Sequence, residues 1–269
     1  MNNIFALAIL TFKEGVRHRM LQGIAVLSVV MAVLTILIPN VFMYDLGKVA
    51  IDIGLSTISL SGLLIIFFLA INILGRDLDK RTIYMVLATP TSRAQYIVGK
   101  FLGICFLLVI SFIFLSLLLS SALYILTTLY PAHISARFSW NTLFATQFFL
   151  FLELILIAAI VFCIASFSSS FYLTLILSGL VYMIGTSLES VQLALSSKDS
   201  NMHLEGTGTF LSIIKWVFPN LAAFDFKTIA AYGLPLEPKI LILTFFYWLF
   251  YTISLLLLTV FIFNKKELS

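Results

Sequence analysis

Six stretches of this chain, 21–38, 53–74, 101–126, 142–166, 171–188 and 240–263, run on with almost no charge. About 20 consecutive apolar residues make a helix long enough to cross a hydrocarbon layer ~30 Å thick. Hydrocarbon offers no partner to a backbone N–H or C=O, so continuous apolar runs satisfy their backbone only as helices. A spanning β-barrel would show short alternating segments instead. Composition agrees: of 269 residues 61% are apolar and 10% charged, with mean hydropathy +1.12, and a soluble domain of this size has too little interior to hide so much hydrocarbon. The expected fold is therefore all-α, a polytopic membrane protein with six transmembrane helices in one domain over 1–269.

The ends of the runs carry stop signals: Pro39-Asn40, Gly75-Arg76-Asp77, Tyr130-Pro131 and Asn264-Lys265-Lys266. Six crossings put both termini on one side. With the N-terminus inside, Lys13, Arg17, Arg19, Arg76, Lys80, Arg81, Arg93, Lys100, Lys265 and Lys266 are internal, while Lys48, Arg137, Lys198, Lys215, Lys227 and Lys239 are external. The excess inside predicts N-in, C-in. No cleavable signal peptide is expected, because the first run ends in Ile38-Pro39-Asn40-Val41, without the small residues a signal peptidase reads. The net charge of +4 is flank charge on a membrane protein, with no nucleic-acid footprint. Cys105 and Cys163 lie in separate runs and read as small buried hydrophobes; no metal site is expected.

Three segments outside the runs are informative. Residues 2–20 place Ile4, Ala8, Phe12 and Val16 on one helical stripe beside Lys13, Glu14, Arg17 and Arg19, which suits an amphipathic helix in the cytoplasmic interface. It serves either as an anchor alone or as an anchor that also contacts a partner. Residues 75–100, GRDLDKRTIYMVLATPTSRAQYIVGK, are longer than a turn between helices requires. A short helix can run from Asp79 to Ala88 and stop before Pro90, and Ser92-Arg93-Ala94-Gln95 has the form of a capping box that starts the next helix. The competing reading is a solvated loop of positive-inside charge. Residues 190–239 form a long external segment whose Phe210 to Phe218 stretch, with Trp216, suits a helix dipping into the outer leaflet and ending at Pro219. With no gating role it would be an interfacial aromatic anchor. Inside the runs, Glu153 is expected to face protein or water, because an ionised carboxylate in lipid costs ~3 kcal/mol or more. Gln147 and Asn72 are its candidate partners, and Glu153 and Asn72 are either on a substrate path or internal polar contacts.

The 75–100 segment resembles the permeases of the ATP-binding-cassette type-2 export family. Those chains carry R-E-x-x-x-G-T, then L-L-x-x-P-x-S/T-R and a later G-K, after the second span. Here Arg76-Asp77 stands at the R-E position, Thr82 at the Thr, Leu87 and Pro90 at the Leu and Pro, Ser92-Arg93 at the S-R and Gly99-Lys100 at the G-K. Asp77 replaces Glu and Arg81 replaces Gly. Val217 to Asp225 and the following Ala230-Ala231-Tyr232-Gly233 resemble the external segment in the branch that includes the nitrous-oxide reductase maturation permease. The resemblance implies a transport subunit in the inner (cytoplasmic) membrane, not an enzyme, pairing with a second copy as a homodimer. Its coupling segment, with Arg76, Asp77, Lys80, Arg81, Thr82, Leu87, Pro90, Ser92 and Arg93, together with Lys13 and Arg17 of the N-terminal helix, would contact a separate ATPase subunit that binds ATP and Mg, and its external segment, with Trp216, Phe218 and Pro219, would line the external gate. The chain has no Gly-x4-Gly-Lys-Ser/Thr loop of its own and no HExxH or GxSxG. The alternatives are an ion-coupled secondary transporter, which would call for inverted repeats and several midplane carboxylates, and a non-transporting membrane anchor subunit.

Overall fold

The structure, a computed structural model, describes residues 3–37, 46–72, 92–129, 138–168, 170–196 and 218–265. Its elements are α1 (Asn3–Arg17), α2 (Arg19–Leu37), α3 (Leu46–Leu64) extended through a π-helical turn Ile65–Ala70, α4 (Arg93–Leu129), α5 (Trp140–Phe167), α6 (Phe171–Ser196), a 3-10 turn Ala222–Phe224, α7 (Lys227–Tyr232) and α8 (Pro238–Lys265). There is no strand among the described residues. Among the described residues five helices are long and apolar enough to cross a membrane, within Gly47–Ala70, Arg93–Thr128, Trp140–Phe167, Phe171–Val191 and Pro238–Lys265. The described residues are thus all-helical, and their apolar helices are compatible with a multi-pass membrane protein. The first expected run coincides with α2, a helix of 19 residues.

The helix ends follow local chemistry. The capping box at the start of α4 forms as its sequence requires: the Gln95 N–H donates to Ser92 Oγ at 3.2 Å and the Ser92 N–H donates to Gln95 Oε1 at 3.1 Å. α7 closes on Gly233 at φ 63°, with the Leu234 N–H reaching back to the Ile229 carbonyl at 3.0 Å, a left-handed cap that a residue with a Cβ resists. α6 runs on to Ser196, beyond the expected end at 188, because the Leu188–Ser196 stretch contains no Gly or Pro to stop it.

α5 is the hub. Of its most apolar stretch 83% is buried inside the protein, against 11% for α8 and 22% for α6. α4 and α5 pair antiparallel: Phe101 meets Phe162, Phe112 meets Phe151 and Ser116 meets Gln147, so a step along one helix matches a step back along the other. α8 buries mainly Thr244, Thr252, Thr259 and Phe263, a stripe that lets it lie close to its neighbours. α4 is 37 residues long, about 55 Å, which exceeds the ~30 Å hydrocarbon thickness by ~25 Å.

α1 docks lengthwise on α4. Gly99 faces Leu7 and the Ile4 carbonyl, Gly103 faces Thr11 and the Ala8 carbonyl, and Gly15 faces Leu107. The two helices therefore run in the same direction with their backbones close. The buried face of α1 is Leu7, Ala8, Thr11 and Gly15; of the stripe expected to face the membrane interface, Ala8 is turned into this face and Val16 is 43% exposed. The reason is steric. Gly99 and Gly103 form a small-x3-small groove that lets α1 approach closely, with Leu7, Ala8 and Thr11 against it and Phe5, Leu10 and Val16 turned outward.

Candidate functional site

Two regions concentrate polar chemistry, one at each level of the bundle. At the end where α1 begins, α4 starts and α8 stops, side chains tie the three helices together. The Arg93 guanidinium donates to the carbonyls of Phe263 (3.4 Å) and Asn264 (3.0 Å), which caps the C-terminus of α8 with a cation, where the helix dipole favours one. Tyr96 stacks on Phe263 at 6.0 Å. Lys100 is buried to 4% side-chain exposure and its Nζ lies 3.6 Å from Glu14 Oε2, whose side chain is 38% exposed; Lys100 also sits over the Tyr96 ring at 6.0 Å. A cation withdrawn this far from water needs such a partner. The G-K pair of the sequence thus has a structural meaning on both counts: Gly99 admits α1, and Lys100 pins it.

The second region is the segment 218–233, which enters the bundle from the opposite end. The Leu221 N–H donates to the Gly185 carbonyl of α6 at 3.1 Å. The Asn220 N–H donates to the Tyr247 hydroxyl of α8 at 2.9 Å, and Phe226 meets Phe149 of α5 edge-on at 5.2 Å. At the helical rise, Phe149, Tyr247 and Gly185 stand about 14 to 17 Å inside the ends of their helices. Gly185 permits this approach, since a Cβ there would lie 2.8 Å from the Pro219 carbonyl and 2.9 Å from Leu221. Leu221 and Phe224 are fully buried. α7 continues outward onto α3, where Lys48 lies over the Tyr232 ring at 4.8 Å.

Glu153 is buried (7% exposed) in the middle of α5, near enough to Asp225, Lys227 and Tyr182 to feel or exert their charge. Thr146, on the same face two turns before Glu153, has a buried hydroxyl with no hydrogen-bond partner among the described residues; Gln147 Nε2, Asn220 Oδ1, Trp248 Nε1 and Thr252 Oγ1 are in the same condition. Neither expected partner of Glu153 is placed as anticipated. Gln147 Oε1 accepts from Ser116 Oγ at 2.7 Å. Asn72 ends the α3 extension, about 15 Å further along that helix than Gly62, which meets Leu154.

Of the expected coupling residues, Ser92 and Arg93 are at the start of α4, and Lys13 and Arg17 are exposed on α1. Arg76, Asp77, Lys80, Arg81, Thr82, Leu87 and Pro90 lie outside the described residues, as does Trp216. Phe218 is half-buried and Pro219 buried at the start of the inward segment. Glu14, Gly103, Gly185 and Tyr247 carry contacts that the sequence does not single out; each depends on a partner far along the chain. Among the described residues no group of three His, Cys, Asp or Glu side chains is close enough to hold a metal ion. No protein-family model matches the sequence and no curated protein matches it.

Proposed function

We propose that this chain is the permease subunit of an exporter powered by a separate ATP-binding-cassette ATPase, and that it works with a second permease copy in the inner membrane with both termini cytoplasmic. The observation that carries the reading is the bracing of α4. This helix outreaches a bilayer core, and its first turns are clamped by α1 through Gly99, Gly103 and the Glu14–Lys100 pair, and by α8 through Arg93. A rigid, overlong helix that begins directly after the charged 76–90 insert is suited to carry a push from a docked motor. In this reading Arg76, Asp77, Lys80, Arg81, Thr82, Leu87 and Pro90 receive the push, with Lys13 and Arg17 beside them, and the chain needs no nucleotide loop because the partner binds ATP and Mg.

The push would tilt α4 and, through the antiparallel α4–α5 seam, shift α5 against the inward segment. That segment, beginning at Phe218 and Pro219, is then the external gate, and the unpartnered polar atoms beneath it with Glu153 line the path. Charge reversal at Arg76, Lys80 and Arg81 tests the reading: an ATPase that co-purifies with the wild-type chain is lost while membrane insertion is retained. Unchanged co-purification, or no ATPase with the wild type, contradicts it.

The six crossings, with α2 as the first, belong to the same proposal. An alkylation map from outside intact cells checks them: cysteines at 18 and 264 stay unlabelled, and one at 234 is labelled.

A further inference from the structure

α8 is fastened at two levels to parts of the bundle that lie far apart. At the end where α4 begins, the Arg93 guanidinium donates to the carbonyls of Phe263 (3.4 Å) and Asn264 (3.0 Å). The Tyr96 ring stacks on that of Phe263 with their planes 18° apart, and both residues are buried. Toward the other end, the Tyr247 hydroxyl accepts from the Asn220 N–H at 2.9 Å, and its ring leans on the buried Phe224 at 6.2 Å. The helix between positions 247 and 263 is about 24 Å long.

Between these joints nothing lets α8 bend. Pro238–Lys265 is one unbroken α-helix with no glycine, and no proline after its first residue; sharp kinks form at such residues or at a π turn. α5 also touches the inward segment, but 83% of its most apolar stretch is buried, so it is held on all sides. For α8 the share is 11%, and Thr244, Thr252 and Thr259, three of its four buried residues, are short side chains that interlock little. A stiff helix with a smooth seam and two fixed joints moves as a unit.

We infer that α8 is a strut that carries displacement of the α4 start to the inward segment, with Arg93 and Tyr247 as the positioning residues at its two joints. Arg93 follows directly on the 76–90 insert, so a shift of the first turn of α4 pulls on the last carbonyls of α8, and Tyr247 passes the movement to Asn220. The use of this strut in transport rests on the exporter reading. The coupling itself rests on the contacts and is measured without an ATPase, so the two fail separately.

Hydrogen exchange of the purified full chain in detergent tests it. Arg93→Gln loosens the end of α8 and should speed exchange over residues 218–226 by about five-fold, the equivalent of one hydrogen bond. Tyr247→Phe cuts the second joint, so in that background Arg93→Gln should change the rate no further. Distant sites with no connection give steps that agree to within about two-fold in the two backgrounds, so a five-fold step that persists overturns the proposal. Phe263→Leu removes the stack on Tyr96 with every charge kept, and should give a step of the same sign. Ser92→Ala loosens the start of α4 without touching α8, and should give none. Silence of 218–226 to both Arg93→Gln and Phe263→Leu, or an equal response to Ser92→Ala, means that α8 carries nothing between the two ends.

Discussion

Replacing Gly103 by alanine tests the clamp between α1 and α4. A methyl group there would stand 2.6 Å from Thr11 Cβ and 2.7 Å from the Ala8 carbonyl oxygen, whereas carbon contacts relax to about 3.5–4.0 Å. One obstacle is backbone, so no rotamer change relieves the clash and α1 must withdraw by about 1 Å. Overpacking of this kind costs about 1–3 kcal/mol, and alanine returns up to ~1 kcal/mol of helix propensity. The net is a loss of about 1–2 kcal/mol, localised to α1. Gly179, where an added Cβ would meet nothing within 4 Å, is the control: alanine there keeps only the gain. The assay is the rate of maleimide modification of Thr11→Cys, at a position 1% exposed, with Cys105 and Cys163 replaced by alanine. If α1 must lift for the reagent to enter, a loss of about 1–2 kcal/mol raises the rate by about 5- to 30-fold. Gly103→Ala and Gly179→Ala giving the same rate would refute the close packing of α1 on α4.

Three further perturbations address single contacts. Glu14→Gln leaves the Lys100 ammonium buried with a weaker partner; with Glu14 partly exposed the loss should be about 1–2 kcal/mol, read as faster thermal inactivation in detergent, and Lys100→Met in the same background should recover most of it. Ser92→Ala removes the capping box and should cost about 1 kcal/mol, read as faster amide exchange over residues 93–96 with no change beyond residue 105. Tyr247→Phe removes the partner of the part-buried Asn220 N–H, and a loss of about 1 kcal/mol should appear as faster proteolysis within 218–226.

What is legible in the sequence is local. The α4 capping box needs only Ser92 and Gln95, three residues apart, and it forms. The apolar runs place the helices, though α3 begins seven residues before its run, α4 eight before its run, and α6 ends eight residues after its run because no breaker stops it. Contacts between distant segments are not legible. The face that α1 buries against α4 is set by Gly99 and Gly103 in another helix, so it cannot be read from α1 alone. Lys100 stands out as part of a motif, but its partner Glu14 has the look of ordinary surface charge. The inward reach of 218–226 depends on a glycine carbonyl in α6 and a tyrosine hydroxyl in α8, neither of which has a sequence signature. The π turn at Ile65–Ala70 has no marker in its composition.

In the proposed mechanism a motor at one end of the bundle moves a gate at the other. The direct measurement is the labelling rate of Phe218→Cys, in a chain lacking Cys105 and Cys163, with the co-purified ATPase nucleotide-free and then trapped with vanadate. Trapping is predicted to change the rate several-fold, and reversing the charges of Arg76, Lys80 and Arg81 to abolish the change. A rate indifferent to the nucleotide state contradicts the coupling.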